Sequence, residues 1–304
     1  MTNAPSLESA NRPLAGVLWM VLTGVCFVSV TGLVKHIGDA MPAAQTAFLR
    51  YLIGLVFLLP MLGAFSGLRL SRGDWGLFLL RGGAHTIGVI LWFYAMTQIP
   101  IAEVTAMNYL SPIYIAIGAA LFLGERLRAR RIAAIVIALL GAVIILRPGF
   151  REVSPGHLAM LGTALLFAVS YLIAKQLSDR MSPAVVVAML SVLVTVGLAP
   201  FAAIGWVTPT LEDLLWLFLV AFFATAGHFT MTLAFAAAPM TVTQPVTFLQ
   251  LIWAAVVGLV IFAEPVDFWV MLGGGVIIAS VSFITWREAV IRRRSVTPPS
   301  VGTG

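Results

Sequence analysis

Arg81, His85 and Trp92, with Gly88 between them, are spaced by four, three and four residues, so all lie on one face of one helix. An ionisable group at the centre of an apolar span costs about 2.5–3.5 kcal/mol, which makes each one informative. A guanidinium clamps carboxylates and phosphates, and an indole stacks on rings. This stripe therefore suits an anionic or aromatic ligand in a wet cavity. The competing reading has Arg81 snorkelling to nearby headgroups while Trp92 simply packs. Arg50 lies near 12 Å deep in a different apolar run, at about 1.5 Å per residue. That depth hinders snorkelling and favours a pore-facing or ion-paired role.

Two further patches match each other. Asn108, Ser111 and Tyr114 interrupt one apolar run, and Thr247, Gln250 and Trp253 interrupt another, at a shift of 139. Six such residues on two related helices would line a central binding site. Interhelical hydrogen bonding is the plainer alternative, worth about 0.6 kcal/mol per bond. Tyr114 and Trp253 add stacking surface that such bonding does not need. Glu103 begins the run that holds Asn108. A carboxylate in a first turn is favoured by the helix dipole, by about 0.3–1 kcal/mol. Its alternative role is a proton- or cation-coupling site paired with Arg50.

Other chemistries find little support. His36, His85, His157 and His228 fall at different depths, so no metal site is expected, and no cofactor motif is present. Ser170 and Ser191 have no histidine at a close spacing, which leaves nucleophilic catalysis without a base. Gly273-Gly274-Gly275 follows no strand and reads as close helix packing rather than a phosphate loop.

The elements that carry these residues are membrane spans. The chain is 61% hydrophobic and 10% charged, whereas a soluble domain carries about 25% charged residues. Ten apolar runs are separated by chemical stops: 14–34, 42–65, 75–97, 101–123, 132–147, 156–177, 183–205, 212–236, 241–263 and 268–286. Gly16, Met20, Thr23, Phe27 and Lys35 recur as Gly156, Met160, Thr163, Phe167 and Lys175. Gly88, Pro100 and Glu125 recur as Gly227, Pro239 and Glu264.

Five spans per copy is an odd number, so the copies enter the bilayer from opposite sides. The expected fold is an all-α integral membrane protein of ten transmembrane helices in two inverted five-helix repeats, 14–147 and 156–286. A cytosolic segment, 1–13, precedes them and a disordered cytosolic tail, 287–304, follows. With the amino terminus inside, 13 Lys and Arg lie on the inner side and 3 on the outer, which places both termini in the cytoplasm of the inner membrane. The basic residues thereby serve as topology determinants, and no nucleic-acid partner is expected. The partners expected are the bilayer and a small-molecule substrate. Nothing in the sequence separates a monomer from a homodimer.

Arg50, the stretch PIAEVTAMNYLSPIYIAIGAALFLGERLRARR from Pro100 to Arg131, and the fifth-span ending ALLGAVIILRPG resemble the EamA-type transporters of the drug/metabolite transporter superfamily. The second copy repeats the pattern more loosely, with Pro239, Gln244-Pro245 and Glu264 in FAEP where the first has LGER. Pro265 replaces the arginine there. The resemblance implies a ten-helix inner-membrane carrier with a central cavity, working by a coupled gradient or by exchange. The first-copy details look closest to the branch that holds S-adenosylmethionine and riboflavin carriers. The expected function is a secondary transporter of a small polar, ring-bearing metabolite, by alternating access of the repeats. An intramembrane enzyme acting on a lipid-linked substrate would need acid–base groups clustered at one face, and a passive channel would need rings of like charge. Neither pattern is visible.

Overall fold

A computed structural model describes residues 12–59, 70–122, 129–150, 152–178, 181, 183–238, 240–243 and 245–296. The described residues form twelve α-helices: α1 Pro13–Ile37, α2 Ala43–Gly54, α3 Arg72–Gln98, α4 Ile101–Asn108, α5 Ser111–Phe122, α6 Ala129–Leu146, α7 Pro155–Ser178, α8 Pro183–Ala202, α9 Leu211–Ala237, α10 Met240–Thr243, α11 Phe248–Phe262 and α12 Phe268–Val296. Among the described residues, seven stretches are long and apolar enough to cross a membrane, and Ala43–Leu59 and Phe248–Phe262 are shorter apolar helices. The uncharged turn Tyr109-Leu110 divides the fourth expected span into α4 and α5, and the ninth is divided into α10 and α11. The last helix runs on to Val296, so Arg287 to Val296 are helical where the sequence suggested a disordered tail.

Local chemistry repeats along the chain. At the start of α3, Ser71 accepts from the Asp74 amide and the Asp74 carboxylate accepts from the Ser71 amide. At the start of α9, Thr210 and Asp213 make the same reciprocal pair. Each box satisfies two amides that a helix start would otherwise leave bare. Both helices run for 27 residues and end at an extended residue, Ile99 or Ala238, whose amide donates to Ala95 or Ala234. All these positions correspond at a shift of 139.

The packing is paired in the same way. The most extensive contacts join α1 to α9 and α3 to α7. Gly16 and Gly227 lie in the first of these crossings, against Ala238 and Cys26, and Gly88 and Gly156 lie in the second, against Phe167 and Ile99. The recurring glycines thus let two crossings of the same kind close up. Contacts of α2 with α8 and of α6 with α12 complete the frame. At the last of these, a Cβ on Gly273 would come within 2.5 Å of the Gly141 carbonyl oxygen, and one on Gly141 within 2.8 Å of the Gly273 oxygen.

Candidate functional site

The middle of α3 is where the predicted stripe comes together. His85 lies about 20 Å along a helix of about 40 Å, at 1.5 Å per residue. Its Nδ1 is 3.1 Å from Ser170 Oγ on α7, and its Nε2 is 3.2 Å from the Tyr51 hydroxyl on α2. The imidazole stacks on Phe167 at 4.7 Å between centroids, and Trp92 meets the same phenyl ring edge-on at 6.0 Å. One turn before His85, Arg81 is 5% exposed. Its Nη1 donates to the Val186 carbonyl of α8 at 2.8 Å, while its Nε is buried without an acceptor. The Arg50 guanidinium lies 4.1 Å from the centre of the Tyr51 ring. Among the described residues, neither arginine has a carboxylate partner.

The sequence missed Tyr51, Phe167 and Ser170 in this cluster, since each sits on a different helix from His85. Ser170 does have a histidine against it, contrary to what chain spacing indicated. The opposite imidazole nitrogen faces a phenol rather than a carboxylate, so the orienting acid of a catalytic triad is missing from this arrangement.

The second cluster sits at the helix breaks. Pro112 has no amide to offer the Asn108 carbonyl, and the chain tightens there into i to i−3 bonds from Tyr109 and Leu110. In the other half, the turn Pro245–Thr247 precedes α11. The two breaks meet, with the Tyr109 hydroxyl donating to the Thr247 carbonyl at 2.8 Å. Tyr109, Pro112, Thr247, Ile278 and Val281 enclose a void of about 20 Å³, room for one water. Among the described residues, Asn108 Oδ1 and Ser111 Oγ are buried beside this break without hydrogen-bond partners. Tyr114 is half-buried against the core, and Gln250 packs its Cβ close to Gly24 of α1. Trp253 does not join them. It lies with Leu249, Val256 and Val260 on the exposed face of α11, opposite the packed Leu251, Ala254 and Gly258. Ala254 and Gly258 are the small residues that let this face pack closely.

Glu103 is paired with His157 rather than with Arg50. Its Oε2 lies 2.5 Å from His157 Nε2, and both residues are buried. The other imidazole nitrogen faces Ser154, whose amide donates to it at 3.0 Å. At the same end of the bundle, Lys35 pairs with Glu264 at 2.5 Å, and Arg147 pairs with Asp267. Lys35 also donates to the Ile99 carbonyl at 2.9 Å, and Glu264 accepts from the Ile101 amide at 3.0 Å. Ala263 adopts a left-handed conformation, φ 53°, which turns Glu264 back along α11 over Gly258. All three ion pairs join residues before 148 to residues after 154. Lys35 and Glu264 were visible as recurring residues, but their pairing was not.

The family model described as the EamA-like transporter family matches twice, over residues 14–147 and 154–286. The chain is 31% identical over 294 residues to a riboflavin transporter of Vibrio cholerae, covering 93% of this chain and 97% of that protein. It is 26% identical to an S-adenosylmethionine uptake transporter of Rickettsia bellii, covering 90% and 94%. It is 28% identical to the pseudopaline exporter CntI of Pseudomonas aeruginosa, covering 88% and 94%. One solved crystal structure shares the fold, with TM-score 0.58 at 17% identity over 95% of this chain and 99% of that one.

Proposed function

The chain belongs to the EamA-like transporter family, and from that premise we propose that it is a secondary transporter carrying a small polar, ring-bearing metabolite by alternating access of two inverted five-helix halves. Transporters, not enzymes, are what its named relatives are, and its apolar helices make it an integral membrane protein. The observation that carries the proposal is the meeting of two broken helices at Tyr109 and Thr247. Discontinuous helices at the junction of repeats are how such carriers expose polar groups to cargo within a bilayer. The paired capping boxes and paired crossings support an exchange of roles between the halves. The proposed orientation has both termini in the cytoplasm, which puts the Lys35–Glu264 end outside.

In this reading the cargo contacts Asn108, Ser111, Tyr114, Thr247 and Gln250 from the breaks, and Arg81, His85, Trp92 and Arg50 from the stripe. Trp253, on the exposed face, lies outside the contact set. Riboflavin and S-adenosylmethionine, named for two relatives, both carry rings that Trp92 and Tyr114 would stack on. Glu103 with His157 is the proposed coupling pair, a carboxylate and an imidazole that join the two halves. Uptake into proteoliposomes tests the site, using riboflavin and S-adenosylmethionine as tracers. Tyr114→Ala and Gln250→Ala abolish saturable uptake of the accepted tracer while the purified variants remain folded. Full transport by both variants would remove the site assignment.

A further inference from the structure

Two guanidiniums approach the middle of the bundle without a counter-ion among the described residues. Arg81 is almost fully buried, spends one nitrogen on Val186 and leaves Nε without an acceptor. Arg50 lies over the Tyr51 ring, and Tyr51 in turn holds His85. The groups that surround His85 between them are neutral: Ser170 and Phe167 touch the imidazole, and Trp92 meets Phe167. The acidic residues in described ion pairs are committed to Lys35, Arg147 and His157. A buried cation in low dielectric needs an anion, and an arginine fork presents donors in the geometry of a carboxylate or a phosphate.

We infer that the cargo bears an anionic group, a carboxylate or a phosphate, which is held at Arg81 with Arg50 facing the same Tyr51–His85 pair, while its ring lies toward Phe167 and Trp92. This rests on the transporter reading and narrows it, since ring and charge must belong to one molecule. It also gives the two arginines a shared role, because the cargo supplies the negative charge that neither finds on a neighbouring side chain. Arg81 binds the anion directly through its free edge. Arg50, stacked on Tyr51, adds a second positive charge from the neighbouring helix.

The test uses purified full-length protein in detergent and two probes of equal shape, benzoate and benzamide, with thermal unfolding as the readout. Benzoate stabilises saturably, with an apparent dissociation constant at least about tenfold below that of benzamide, the ratio that one charge-assisted hydrogen bond supplies. Inorganic phosphate, which has no ring, binds more weakly than benzoate. In Arg81→Gln and Arg50→Gln the benzoate preference falls toward one. Without added probe, the variants unfold at the same temperature as the wild type or higher, because an uncompensated charge has been removed. Equal response to the two probes, no saturable benzoate response, or a preference that survives in both variants overturns the inference. So does a loss of stability or folding in both variants without probe, which would make the arginines structural. Abolition of the benzoate response by nanodiscs of phosphatidylglycerol, but not of phosphatidylcholine, would assign the arginines to a lipid headgroup and overturn it too. Protein-dependent flux of neutral ring compounds without anion preference would leave the transporter reading intact and remove this one. Anion binding without any flux would do the reverse.

Discussion

The Lys35–Glu264 pair lends itself to a double-mutant cycle whose outcome can be worked from its surroundings. The two side chains are 18% and 13% exposed, and each also serves a backbone group of the turn between α3 and α4. Removing one partner of a buried pair costs about 3–5 kcal/mol. Partial access of water to this pair places Glu264→Gln near the lower end, about 3 kcal/mol. Glu264→Ala also strips the acceptor from the Ile101 amide. Ile101 is 0% exposed, so that loss adds about 1–3 kcal/mol. Lys35→Met leaves a carboxylate that still accepts from Ile101 but has lost its cation. The double variant Lys35→Met with Glu264→Gln contains no unpaired charge, so it is less destabilised than the sum of its singles by about 1–3 kcal/mol. Equilibrium unfolding in mixed micelles, followed by tryptophan fluorescence, gives all four corners. Additivity within about 0.3–0.5 kcal/mol would refute the reasoning, because two groups that do not interact add.

Two further outcomes are expected. Gly273→Ala forces a methyl against the Gly141 carbonyl and lowers stability by about 1–3 kcal/mol, whereas Gly275→Ala, whose Cβ would meet only Phe248 at 3.7 Å, is neutral or slightly stabilising in the same unfolding assay. Glu103→Gln abolishes uptake driven by an imposed proton gradient while exchange between loaded proteoliposomes persists, and equal loss of both activities would count against Glu103 as a coupling residue.

Local features of the fold were legible because local residues dictate them. Ile99-Pro100 ends α3 as its chemistry demands, and the apolar runs fixed most helix limits to within a few residues. The division of the fourth span at Tyr109-Leu110 was less apparent, although Ser111-Pro112 stood beside it. The site was only partly legible. Arg81, His85 and Trp92 share one helix, so spacing alone put them on one face. Tyr51 and Ser170 come from α2 and α7, and no local pattern announces which helices will meet. The depth of His157 along the chain speaks only against a metal site, while its contact with Glu103, 54 residues away, depends on how α4 packs against α7. On α11 the misjudgement had a different source. Nearly every residue there is apolar, so the hydrophobic pattern does not distinguish the inner face from the outer, and only Ala254, Ala255 and Gly258 betray it.

At the crossing of α6 and α12 the carbonyls of Gly141 and Gly273 face each other's Cα atoms, and the buried side chains of Ile277 and Ile145 pack against the same two glycines. Helices with interlocking side chains resist sliding, since each ridge must climb out of its groove before the next can enter. Here each glycine is the groove and an isoleucine of the other helix is the ridge that fills it, Ile277 at Gly141 and Ile145 at Gly273. The two helices that close the matched segments are therefore keyed to each other at this point, and they cannot slide or separate without unseating both isoleucines. It behaves as a clasp between the last helices of the two matched segments, and a bulky residue introduced on either glycine would open it from both sides at once.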